Sequence, residues 1–189
     1  MHIIHHLSDI MKKLRNEELN RKTLEEFRLA GKHPVRVILD NVRSQNNVGS
    51  IFRTCDAFLL EGITLCGITS TPPHREISRT ALGATESVSW EYREKTTEAV
   101  SEWRNKGYHI LAAEQAEGSQ LLHRISILPG EKYALVFGHE VNGVGQDIMD
   151  LCDGAIEIPQ YGTKHSLNIA VSAGIVLWEF FRFYLKEAR

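Results

Sequence analysis

KYALVFGHEVNGVG, Lys132 to Gly145, is the stretch whose reading decides the fold. Tyr133 to Phe137 is an unbroken apolar run, the mark of a strand buried on both faces. It stops in a polar loop carrying Gly138, Gly143 and Gly145. A buried strand that empties into such a loop is how a parallel α/β sheet presents its ligand-binding edge. Working outward, the same pattern recurs on both sides. Upstream, VRVILD (Val35–Asp40) is a β-branched apolar run, and the spacing predicts a helix over Asn47–Leu59. A strand at Ile63–Gly67, a loop through Pro72-Pro73 (Thr69–Glu76), a strand at Ser87–Tyr92, a helix at Thr96–Asn105 and a strand at Tyr108–Glu114 follow. Gly118–His123 reads as a short helix or turn. Downstream come a helix at Gln146–Cys152, a last strand at Ala155–Pro159 and a long helix over Ser166–Glu187. Alternation of this kind predicts an α/β domain, a parallel sheet with helices on both faces and right-handed crossovers.

The N-terminal region is of another character. Leu14, Leu19, Leu24 and Phe27 have helical spacing among charged residues, and Thr23 with Glu26 forms a capping-box pattern that predicts two short helices. Gly31 closes this segment and Pro34 restarts the chain as extended backbone. The expected division is an N-terminal extension with a helical segment, 1–34, and a main domain, 35–189. Met11 opens a stretch that resembles a natural translation start, so Met1–Ile10 reads as an appendage. Its His2, His5 and His6 are read as a His-bearing tail, not a metal site.

Composition sets the class. The 189 residues carry 22 Lys and Arg against 24 Asp and Glu, a formal net charge of −2. That excludes a binder that coats nucleic acid over its whole surface, though not local phosphate contacts. No apolar run is long enough to span a bilayer and no secretory pattern opens the chain, so a cytoplasmic protein with no membrane partner is expected. Cys55, Cys66 and Cys152 form no CxxC pair and read as reduced thiols, with no metal site.

The chemistry is expected in the loops at the carboxyl ends of the strands. The first, DNVRSQNNVGSIFRT (Asp40–Thr54), places Asn46, Asn47 and Gly49 at a strand–helix junction, with Arg53 nearly two turns on. There Asn serves as a helix cap and Gly admits a ligand to the backbone. The same residues also suit a plain capped helix with an exposed Arg. The second, GHEVNGVG (Gly138–Gly145), is neither a GxGxxG fingerprint nor a P-loop, and reads as a nucleotide cradle or as a tight turn with an exposed Glu. The third, QYGTKHSLNIAVSAG (Gln160–Gly174), opens a small-residue helix with Thr163, Lys164, His165, Ser166 and Asn168.

Together these segments resemble the SpoU (TrmH-type) RNA methyltransferases of the SPOUT superfamily. Asn47, Gly49 and Arg53 match the N-x-G-x-x-x-R element; Gly138, Glu140 and Gly143 match G-x-E-x-x-G; Ile158, Pro159, Ser166, Leu167 and Asn168 match I-x-P…S-L-N. The resemblance covers about Val35 to Leu185. Gln45, His139, Val141 and Gln160 depart from the residues common in the family at their positions. The resemblance implies a SPOUT fold with a C-terminal trefoil knot, a homodimer, and S-adenosylmethionine as cofactor, held around Gly138, Ile158, Pro159 and Leu167 with Ala113 and Glu114 nearby. It implies methyl transfer to a ribose 2′-hydroxyl of RNA, with transfer RNA favoured over ribosomal RNA. Arg53, Asn47, Glu140, Ser166 and Asn168 would be catalytic. Arg53 would contact the target phosphate and hydroxyl, since a guanidinium is too basic to serve readily as a general base. Arg75, Arg79, Lys164 and His165 would add phosphate contacts.

Two other readings compete. A catalytically silent RNA-binding relative is disfavoured by the retained Asn47, Arg53, Glu140, Ser166 and Asn168. A flavodoxin-like or Rossmann-type nucleotide-binding enzyme is disfavoured by the missing glycine fingerprint after Val35–Asp40.

Overall fold

A computed structural model describes residues 11–187. The histidines of the N-terminal tail lie outside the described residues. The chain begins with a 3-10 turn at Asn16–Leu19 and a short helix α1 (Leu24–Leu29). As the sequence predicts, Thr23 caps α1 through its hydroxyl while Glu26 reaches back to the Thr23 amide at 2.7 Å. Phe27 is buried in the main core, so apolar packing ties this segment to the sheet.

The sheet then forms from β1 (His33–Asp40), β2 (Leu60–Cys66), β3 (Trp90–Arg93), β4 (Tyr108–Ala113), β5 (Gln120–Leu121), β6 (Lys132–Phe137) and β7 (Gly154–Glu157). Their spatial order is β3-β2-β1-β6-β4-β7-β5, with every pair parallel. The helices between them are α2 (Gln45–Ala57), α3 (Arg75–Ala81), α4 (Ala84–Ser87), α5 (Thr96–Asn105), α6 (Gln146–Met149) and α7 (Ile169–Glu187). Side-chain alternation along the strands divides the core into two. On one face Val37, Leu39, Leu135 and Phe137 pack against α1 to α4 and α7; on the other Ile38, Ile110, Ala134 and Val136 pack against α5 and α6. Helices therefore cover both faces, as expected.

Several local expectations are corrected. Nothing in the sequence predicted α3 and α4, because two helices this short leave little periodicity to read; the His74 ring caps α3 by accepting the Glu76 amide at 3.2 Å. The strand read at Ser87–Tyr92 consequently starts later, at Trp90. The stretch read as a short helix or turn, Gly118–His123, holds the two-residue β5 and a 3-10 turn at Leu122–Arg124. Helix α2 starts at Gln45 and is capped by Ser44, whose hydroxyl accepts the Asn47 amide at 3.3 Å, so Asn47 is not a cap. Helix α7 starts at Ile169, three residues late, and α6 ends at Met149.

Gly49 has a packing role, not a ligand-binding one. A β-carbon there would run into the Thr80 hydroxyl and the Ile77 carbonyl of α3. The missing side chain lets α2 and α3 approach backbone to side chain, which holds α2 in place over the sheet. Gly49→Ala gains about 1 kcal/mol of helix propensity but must displace a backbone carbonyl, an overpacking cost of about 1–3 kcal/mol. We expect a net loss of stability, read as a lower urea midpoint at unchanged slope.

Candidate active site

The carboxyl ends of β4, β6 and β7 converge at one edge of the sheet. After Phe137 the chain folds back on itself: the His139 amide donates to the Gly143 carbonyl at 3.0 Å and the Gly143 amide donates to the His139 carbonyl at 2.8 Å. The His139 ring accepts the Val141 and Asn142 amides through Nδ1, at 3.0 and 3.3 Å, and so closes the turn from inside. Gly143 sits at φ +66°, and a β-carbon there would meet the Glu114 carboxylate. That carboxylate accepts the Val144 and Gln115 amides, each at 2.9 Å, while the Glu114 amide donates to the Ile156 carbonyl at 3.0 Å. Glu114 thus fastens the glycine loop to β4 and β7.

Glu140 projects from this turn to the start of α2. Its two oxygens accept the Arg43 and Ser44 amides at 3.1 and 2.8 Å and the Asn47 side-chain amide at 3.4 Å. Asn47 in turn accepts from the Asn168 side chain at 3.2 Å. Asn168 caps α7, its carbonyl oxygen taking the Ala170 and Val171 amides at 2.9 and 3.4 Å. One hydrogen-bonded chain, Glu140–Asn47–Asn168, therefore links three loops far apart in sequence. The negative charge also sits favourably at the N-terminus of α2. Partial burial alone would raise the Glu140 pKa, but the N–H donors outweigh it and hold the carboxyl below its ordinary range.

Beside this chain lies a cavity of about 490 Å³. Its floor is apolar, from Ala113, Phe137, Ile156, Ile158, Ile169 and Val176, and its rim is polar, from Glu114, Glu140, Ser166 and Asn168. Gly138 and Leu167 also line it. Of the residues expected to hold a cofactor, only Pro159 is not in the wall; its neighbours Ile158 and Gln160 are. Gln115 escaped the sequence reading, yet its side chain lines the cavity and holds the His165 carbonyl at 2.8 Å, which pins the third loop to the end of β4. A lone Gln after a strand carries no sequence signal.

Arg53 is not brought to this cavity. It stands six residues beyond Asn47, about 120° around the helix, and is exposed in a separate shallow groove with Ser50, Phe58, Arg79 and Thr80. Arg79 reaches the Asn46 side chain at 3.1 Å and pairs with Glu76 at 2.8 Å. Arg75 is exposed at the start of α3, while Lys164 and His165 are exposed on the third loop, His165 at the cavity wall. Cys55 and Cys66 are buried, and burial pushes the Cys66 thiol up to about 12. Among the described residues no cluster of His, Cys, Asp and Glu has the makings of a metal site.

An open parallel α/β sheet with an apolar-floored, polar-rimmed cavity at its strand ends defines a small-molecule-binding domain of the doubly covered α/β class. Residues 34–178 match the SpoU rRNA Methylase family, and the chain belongs to that family. It is 30% identical over 170 residues to a tRNA (guanosine(18)-2′-O)-methyltransferase of Thermus thermophilus, covering 89% of this chain and 85% of that one. It is 31% identical over 146 residues to the 23S rRNA (guanosine-2′-O-)-methyltransferase RlmB of Neisseria meningitidis, covering 77% of this chain and 57% of the other. The AdoMet-bound rRNA methyltransferase from Sinorhizobium meliloti superposes with a TM-score of 0.75 at 30% identity, over 81% of this chain and 57% of that chain. The chain thus spans little more than half the length of the neisserial and Sinorhizobium proteins.

The lowered Glu140 pKa fixes a pH dependence. The stabilisation it reflects is fully present above the unfolded-state value and is lost as pH falls through the lower folded-state value. Glu140→Gln should therefore unfold more easily than the parent near neutrality, and the gap should close under acid. Urea unfolding of both proteins from about pH 7 down to about pH 3 checks this; a gap that stays constant would mean that the Glu140 charge is not what joins the loops.

Proposed function

We propose that this chain is an S-adenosylmethionine-dependent RNA methyltransferase acting on a ribose 2′-hydroxyl. The observation that carries the reading is the Glu140–Asn47–Asn168 hydrogen-bond chain at the rim of the cavity. It turns three separate sequence elements into one site, and a merely structural set of caps would have no need to meet. The cavity fits the cofactor: its apolar floor suits an adenine ring, its polar rim suits the cofactor's polar edges, and its volume lies in the usual range for small-molecule sites. When bound, the cofactor supplies an already activated methyl group, so the protein has only to aim and deprotonate the hydroxyl.

The residues divide that work. Glu140, held ionised by backbone donors, fixes Asn47 and Asn168 and with them the rim. Ser166 lies in the cavity wall and its hydroxyl makes no hydrogen bond to another described residue, so it is available to the ribose. Arg53 holds the target phosphate and hydroxyl. Because Arg53 faces a different groove in its own chain, it serves the cavity of a second copy, and the active enzyme is a homodimer. Helix α7 supports this with an exposed apolar stripe, Val171, Ile175 and Trp178, and Trp178 packs on Phe58, which lines the Arg53 groove. Arg75, Arg79, Lys164 and His165 contact RNA phosphates. The main domain, 35–189, carries the reaction, and the preceding segment assists RNA recognition.

The C-terminal segment forms a trefoil knot in this reading. What supports it is the sheet order: β7 lies between β4 and β5, so the connection over residues 114–119 steps across β7 while the chain beyond β7 continues to α7. Transfer RNA is the favoured substrate over ribosomal RNA, supported by the fuller match to the Thermus tRNA enzyme. The setting is the cytoplasm; among the described residues no helix is long and apolar enough to cross a membrane.

Arg53→Ala should abolish methyl transfer while leaving the S-adenosylmethionine Kd, read by calorimetry, near the parent value. Near-normal turnover would remove Arg53 from the mechanism. The parent protein, given an RNA with 2′-deoxyribose at the mapped target, should transfer no methyl group; transfer to that substrate would point to base modification instead. Light scattering should give twice the chain mass, and a monomer that is fully active would overturn the shared site.

A further inference from the structure

Beside the cavity the third loop presents an aromatic ring to solvent. Tyr161 is 96% exposed, and the whole run from Tyr161 to Asn168 is exposed. The loop is nevertheless fastened beyond that ring, at His165. Gln160 and His165 both line the cavity, and the Gln115 side chain holds the His165 carbonyl. Tyr161 directly follows Gln160, a residue of the cavity wall, and so stands beside the cavity. Next to it Gly162 opens onto empty space, with no atom within 4 Å of where a β-carbon would stand. Lys164 and His165 follow on the same exposed run and form no ion pair with another described residue. Val141, 78% exposed, also lines the cavity.

A large ring held in water gains nothing within this chain. An unstacked nucleobase is the partner that an aromatic face and neighbouring cations recognise together, the ring by stacking and the cations by phosphate contact. We propose that Tyr161 stacks on an RNA base presented at the cavity mouth, while Lys164 and His165 hold the adjoining backbone. The inference rests on the reading of this chain as an RNA-acting enzyme and assigns that site a base-binding residue. A base held there brings its ribose to the rim where Ser166 lies. Stacking tolerates any base, so Tyr161 contributes affinity and placement, with little sequence preference of its own.

The test uses the full chain with two probes, the transfer RNA fraction and the ribosomal RNA fraction of cells lacking the gene. RNA Kd by filter binding, S-adenosylmethionine Kd by calorimetry, and mass by light scattering are compared for the parent, Tyr161→Ala and Tyr161→Phe. Loss of one stack should weaken RNA binding on the order of 5- to 150-fold in Tyr161→Ala. Tyr161→Phe, which keeps the ring, should bind as the parent does, and cofactor affinity and mass should not change. Ultraviolet crosslinking should attach a nucleotide to the peptide holding Tyr161. Unchanged RNA binding by Tyr161→Ala overturns the proposal, as does a parent protein that binds neither RNA fraction. Weakening that comes with an altered mass also overturns it, since the ring would then belong to a protein interface. A parent that binds RNA but transfers no methyl group would sink the proposed activity alone, because the stacking result is read from binding.

Discussion

The Glu140 carboxylate accepts two backbone amides at the start of α2, and the layout of the candidate site follows from that one contact. Left without partners, the part-buried Ser44 amide and the carboxylate would each carry a cost of incomplete hydrogen bonding. Satisfying them together draws the turn after β6 onto the junction after β1. Asn47 is then near enough to pass the connection to Asn168, and the cap of α7 becomes part of the same network. The sheet brings β1 and β6 side by side, but hydrogen bonding decides how their loops meet. Glu114 does the corresponding work on the other flank, through the Val144 amide and the close approach of Gly143.

Most of the architecture was legible because it rests on long apolar runs. Val35–Asp40 and Tyr133–Phe137 are nearly all fully buried, and apolar-rich runs of this length bounded by polar loops admit few other readings. What escaped was short or set by contacts distant in sequence. Helix α3 has seven residues and β5 only two, too few to show a period. The capping of α2 by Ser44 instead of an Asn was hidden because Ser44, Asn46 and Asn47 are all competent caps, and here the Asn47 side chain is taken up by Glu140 and Asn168.

The site was legible in its membership more than in its geometry. Asn47, Glu140 and Asn168 were grouped by the family resemblance of their motifs and do meet in space. Gly49 was read as an opening for a ligand and is instead a contact between helices, a distinction that spacing cannot draw since both demand the same absence of a side chain. Arg53 was grouped with the others by motif, yet helical geometry turns it to another face. Gln115 was missed altogether, because its part depends on a carbonyl fifty residues away.

The distances in sequence that this network spans bear on how the protein is made. Asn47 and Asn168 are 121 residues apart, and Glu140 and Asn47 are 93 apart. A parallel sheet with such remote partners closes slowly, because loop-closure entropy must be overcome before the contacts repay it. On the ribosome β1 and α2 emerge long before the cap of α7 that completes their loop. The rim of the cavity is thus incomplete until the chain has been made through the start of α7, and occupancy of the site reports that all three loops have come together.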